Sequence, residues 1–92
     1  MAEAQTLLSG IKTITATNTA QQLTTTSQII TGMVVRANKA NAANVFIGPS
    51  TVAGTSYALE AGESLQFDVI DPARVYVYGK ENDTLSFFGL IP

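Results

Sequence analysis

Ser64 is the first residue whose surroundings invite a chemical reading, because it follows Gly62 and Glu63 as a strand begins. A serine nucleophile needs a base to take its proton. The chain has no histidine, and Gly62-Glu-Ser lacks the second glycine of a nucleophile elbow. Ser64 therefore reads as the start of a strand. The carboxylates are the next candidates, since a pair of them can share acid and base work. Glu60 and Glu63 flank a turn, Asp68 alternates with apolar neighbours, and Asp71 precedes Pro72, so each has an ordinary structural task. A glycosidase would also need a groove larger than 92 residues can build alone.

Metal and phosphate chemistry fare no better. Glu81-Asn82-Asp83 could offer oxygen ligands to calcium, but three polar residues at a loop tip are more often a solvated turn. With no cysteine and no histidine the softer metals have no ligands, and disulfides are excluded as well. Asn82-Asp83-Thr84 matches a glycosylation acceptor without a signal segment to accompany it. The glycines at 48, 54, 62 and 79 follow no phosphate-binding spacing. Tyr57, Tyr76 and Tyr78 could form a stacking platform for sugars, and this is the most serious binding alternative. The sequence thus predicts no catalytic residue, no cofactor and no metal.

Charge narrows the partners. The net charge is −2, and the five basic residues Lys12, Arg36, Lys39, Arg74 and Lys80 are scattered along the chain. Nucleic acid binding depends on neutralising several phosphates together, so no nucleic acid partner is expected. No run approaches the roughly 18 to 20 apolar residues of a membrane helix, and the reading is a soluble chain without a membrane partner.

The elements that would position any site are strands. Thr, Val and Ile are abundant, and β-branched side chains suit a pleated surface. Alternation and turn residues predict strands over 11–17, 20–26, 33–38, 44–48, 56–59, 64–70, 73–79 and 84–91. The first two are expected to be half-exposed. Segments 33–38 and 44–48 are expected to pair as a hairpin, and 80–83 to be a hairpin loop. Asp71 is expected to cap the turn at Pro72 with its own side chain. Residues 1–10 show no long period and read as a flexible arm, followed by one domain over 11–92. Short strands with turn signals in every gap predict an all-β, single, small antiparallel sandwich, jelly-roll-like. Immunoglobulin-like connectivity is the alternative, because alternation does not report strand order.

Several strands are apolar on both faces. Leu85 and Phe87 alternate with Phe88 and Leu90, Val75 and Val77 with Tyr76 and Tyr78, and Met33 and Val35 with Val34. A sandwich buries one face of each sheet. The surplus predicts a cover from other subunits, with Val34, Tyr76, Tyr78, Phe88 and Leu90 as the candidate subunit interface. A domain this small without disulfide or metal also gains from subunit contacts.

Four segments carry a family resemblance: Met33-Val-Val-Arg-Ala-Asn38, Ala43-Asn-Val-Phe-Ile-Gly48, Tyr57-Ala-Leu-Glu-Ala-Gly-Glu-Ser-Leu65 and Asp71-Pro-Ala-Arg-Val-Tyr-Val-Tyr-Gly79, before a closing apolar strand. In this order they resemble the small β-sandwich proteins of tailed-phage virions. The resemblance spans about residues 31 to 91, leaves the first thirty uncovered, and departs at Ala61, where proline is common. It implies a non-enzymatic virion component, often a head decoration or cement protein, commonly a trimer, made in the host cytoplasm and placed on the capsid surface. The partner implied is the major capsid protein, with Leu7, Leu8, Ile11 and Lys12 as an arm that lashes to neighbouring subunits. The alternative is a receptor- or glycan-binding module of a tail or fibre.

Overall fold

A computed structural model describes residues 6–92. Eight strands run in chain order: β1 Thr6–Thr13, β2 Gln21–Gln22, β3 Ile30–Ala37, β4 Val45–Gly48, β5 Tyr57–Leu59, β6 Ser64–Ile70, β7 Tyr76–Tyr78 and β8 Thr84–Ile91. A single 3₁₀ turn, Pro72–Arg74, interrupts them. One sheet has the order β1-β8-β3-β6 and the other β2-β7-β4-β5. The antiparallel pairs β1 with β8, β2 with β7, β3 with β6 and β4 with β5 make the chain one long hairpin folded at the β4–β5 connection. Rolling that hairpin sets β8 against β3 and β7 against β4, which closes two four-stranded sheets. This is jelly-roll connectivity, and the immunoglobulin-like alternative does not apply.

The winding explains where local expectations fail. β3 and β4 lie in different sheets, so 33–38 and 44–48 do not form a hairpin; the 38–44 segment carries the chain across the sandwich. The 80–83 loop likewise links β7 of one sheet to β8 of the other. Only β4 and β5 are both consecutive and paired. Proximity in sequence is a good guide to pairing in a meander and a poor one in a roll.

The N-terminal segment is a second correction. Residues 6–10 are not an arm: they form the first half of β1, in register with β8 from Thr6 opposite Ile91 to Thr13 opposite Thr84. The backbone of β8 would otherwise present an unpaired edge, and this pairing satisfies it. Met1–Gln5, the rest of the expected arm, lie outside the described residues. Residues 14–20, expected to be largely strand, form a loop with Asn18 at a positive φ of 55°, and the second strand shrinks to Gln21–Gln22. Ile14 and Leu23 on its flanks are nonetheless buried.

Inward positions of both sheets fill one core, including Met33, Val35, Val45, Val77, Leu85 and Phe87. Two glycines shape it. Gly89 faces inward on β8, and Ile30 sits so close that a Cβ there would collide with its Cγ2. Gly32 has φ +61°, at the point where the register between β3 and β8 shifts. That kink lets Ile30 and Met33, an odd number of residues apart, both point into the core. It also turns β6, so that Ile70 is half-buried and Val69, which shares the parity of Leu65 and Phe67, stands outside.

Candidate functional site: an uncovered apolar sheet face

The strand register assembles the outer face of the β1-β8-β3-β6 sheet row by row. Leu7, Leu90, Thr31 and Val69 lie side by side across the four strands. The next row is Ser9, Phe88, Val34 and Gln66, and the third is Ile11, Ser86, Arg36 and Ser64. The exposed fractions are 58 % for Leu7, 73 % for Ile11, 63 % for Val69, 50 % for Phe88 and 39 % for Leu90. Phe88 and Leu90 are outward because β8 alternates them against buried Leu85 and Phe87. Val34 is half-buried between them. An apolar surface on one side of a sheet, rimmed by Ser64, Gln66, Asp68 and Arg36, is the most distinctive feature of the molecule.

The other sheet treats its outer face differently. Phe46 and Tyr78 meet edge to face on it, with ring centroids 6.0 Å apart and planes at 71°. The loop between β4 and β5 folds over them. Val52, only 4 % exposed, reaches within contact of Gly48, and Gly54 lies beside the Tyr78 ring. Tyr78 is therefore half-buried against the chain's own loop, and Tyr76 is half-buried as well. Tyr57 pairs with Ile47, on the opposite face of that sheet from Phe46 and Tyr78, and is exposed at the edge. The register does not bring the three tyrosines into one platform.

The candidate interface residues thus separate. Val34, Phe88 and Leu90 share one outer face, whereas Tyr76 and Tyr78 belong to the other. Of the expected arm contacts, Leu7 and Ile11 stand on the Phe88 face at its β1 edge. Leu8 and Lys12 alternate to the inner side, where Leu8 packs against the core and Lys12 is half-buried. Val69 completes the face and was hidden in the sequence because simple alternation places it inward. The signal for the switch is Gly32, opposite Asp68 across the β3–β6 pair.

The polar groups hold loops. Asp83 is 6 % exposed, and its carboxylate accepts from the Ala42 N–H at 2.9 Å and the Ala43 N–H at 3.1 Å. Beside it the Asn41 side chain donates to the Thr84 carbonyl and accepts from the Thr84 N–H, both at 2.9 Å, as a neighbouring strand would. Together these fix the cross-sheet segment 38–44 against the start of β8. Asp71 caps its turn as expected, accepting from the Ala73 N–H at 3.0 Å. Its other oxygen accepts from the Ser27 hydroxyl at 2.9 Å. That hydroxyl, with the Ala73 and Gln28 amides, holds the Asp71 pKa below its ordinary 3.8. Glu63 accepts from the Glu60 N–H at 2.7 Å and closes the turn before β6. Ser64 lies opposite Arg36 at the start of that strand.

Among the described residues no three His, Cys, Asp or Glu side chains are grouped to hold a metal ion. Arg36, Asn38, Lys39 and Ser86 border a shallow polar depression at one end of the apolar face. No helix of the described residues is long and apolar enough to cross a membrane. No protein-family model, curated protein or solved structure matches the chain.

Proposed function

We propose that the chain is a non-enzymatic structural component of a tailed-phage particle, a decoration or cement protein on the capsid surface. Its apolar outer face seats on the major capsid protein and joins neighbouring subunits. The observation that carries this reading is the uncovered patch of Leu7, Ile11, Val69, Phe88 and Leu90 on one sheet face. On the opposite face the chain's own loop packs against Gly48 and Tyr78, so the asymmetry marks one side for contact.

The magnitudes suit such a role. Completing the burial of a half-exposed Leu, Ile, Val or Phe contributes about 1 kcal/mol, so the face offers roughly 5 kcal/mol before the cost of association. A single contact of that size is weak. Repeated over a lattice, with copies also touching one another, it becomes a clamp through effective concentration. The resemblance of residues 31–91 to small virion sandwiches supports the same reading. The tail or fibre glycan module draws less support, because its three tyrosines do not share a face.

Copy number tests the proposal. Quantitative mass spectrometry of purified particles is expected to find the chain in amounts comparable to the major shell subunit. A handful of copies per particle would place it in the tail, and its absence from particles would end the reading.

A further inference from the structure

β1 is a free sheet edge whose side chains match a second copy of themselves. The N–H of Ile14, the residue after β1, donates to the Asp83 carbonyl at 2.9 Å and its carbonyl accepts from the Asn82 N–H at 2.8 Å, so both groups face the β8 side. Bonding direction alternates along an antiparallel strand. Thr6, Leu8, Gly10 and Lys12 therefore bond toward β8, and Leu7, Ser9, Ile11 and Thr13 aim their N–H and C=O groups at the open edge. All four are exposed. Among the described residues no strand pairs with that edge.

The other edges are less suited to it. β2 has two residues and β5 three, too short to template a partner. β6 is long enough, but it carries outward Asp68 and follows Glu63. β1 has eight residues, no proline and a single lysine, and pairs with β8 without a bulge.

We propose that β1 pairs antiparallel with β1 of a second copy across a two-fold axis at Ser9, so that two four-stranded sheets become one continuous sheet. The axis position follows from the side chains. Centred on Ser9, the pairing sets Leu7 against Ile11 of the second copy and Ile11 against Leu7 of the second copy. Centred on Gly10 it would set Leu7 against Thr13, and centred on Ile11 it would leave Leu7 beyond the paired residues. Apolar cross-strand pairs favour the first register. Leu90 already flanks Leu7, so the apolar row of one copy is extended by Ile11 of the other. The contact is isologous and closes at two copies, whereas β1 against β6 would propagate. The resemblance implied three-fold assembly; this contact is two-fold. It rests on the fold alone, and capsid binding can fail without affecting it.

Sedimentation velocity of the full chain from about 1 to about 200 µM tests the association. A concentration-dependent dimer is expected. Ser9→Pro removes a donor that faces the open edge and leaves the β8 ladder intact, so it is expected to weaken dimerisation at least tenfold with an unchanged melting curve. Single cysteines test the register in a chain that has none. Opposed Cα atoms about 5.5 Å apart are within disulfide reach. In Ser9→Cys, two thiols are oxidised to one disulfide by oxidised glutathione, which leaves as two reduced thiols. In Thr13→Cys the thiol has no opposite number, and cross-linking is expected to be at least tenfold slower. A monomer over the whole range, a trimer, or Thr13→Cys linking as fast as Ser9→Cys would overturn the proposal. A dimer unaffected by Ser9→Pro would overturn it as well.

Discussion

Phe87 and Phe88 are adjacent, chemically identical and opposite in surroundings: Phe87 is 6 % exposed in the core and Phe88 is 50 % exposed on the outer face. Replacing each by alanine therefore separates packing from docking. Phe87 sits against Gly10, which would admit no Cβ beneath its ring, and loses both its transfer energy and the contacts around it. A buried Phe→Ala change costs about 3 to 5 kcal/mol. At Phe88 only about half the side chain is out of water and the space left is open to solvent, so the loss should be about 1 kcal/mol. A domain of this size unfolds in urea with a slope of about 1 kcal/mol per molar. The two variants should then differ by about 2 to 4 M in midpoint, measured by circular dichroism at protein concentrations below about 1 µM to keep assembly from masking the difference. On particles the order reverses: Phe88→Ala should dissociate more readily, while any folded fraction of Phe87→Ala should bind normally. Equal midpoints for the two would mean that Phe88 is sheltered within the monomer, and the docking face would lose its basis.

Gly89→Ala should destabilise by about 1 to 3 kcal/mol in the same urea experiment, because the new Cβ meets Ile30 and the backbone of Met33; a neutral result would show that β8 can shift away. Asp83→Ala should cost about 1 to 3 kcal/mol by stranding the Ala42 and Ala43 amides, discounted because water can reach those residues; Asp83→Asn, which keeps an acceptor, should fall between it and the parent. The lowered pKa of Asp71 makes its contribution present above the ordinary value of 3.8 and lost as pH falls through the lower folded value. Ser27→Ala should raise the Asp71 carboxyl pKa toward 3.8 in an NMR titration, and an unmoved titration would assign the shift to the backbone amides alone.

Residue parity was legible where a strand stays regular. Met33, Val35 and Ala37 inside, and Phe88 and Leu90 outside, follow from alternation alone. Parity failed at Val69 because Gly32 kinks the facing strand, a single αL residue whose effect crosses a hydrogen-bonded pair. Residues 6–10 were opaque for another reason: a five-residue stretch with one apolar pair has too little period to declare itself, and it becomes a strand because β8 supplies a long partner. Pairing was the least legible property, since the partner of β1 lies more than seventy positions away and the loop-closure cost of such contacts leaves no local trace. Tyr76 and Tyr78 show the converse limit. Their alternation follows from the sequence, but whether an outward ring meets solvent or a folded-back loop depends on the path of 49–56.

Hydroxyl-radical footprinting of the free chain and of intact particles addresses the outer face directly, because it reports solvent access side chain by side chain. Labelling at Phe88, Leu90, Leu7 and Ile11 should fall several-fold on the particle while Tyr57, on the other sheet, keeps its reactivity. Undiminished labelling of those four side chains in the assembled state would contradict the account.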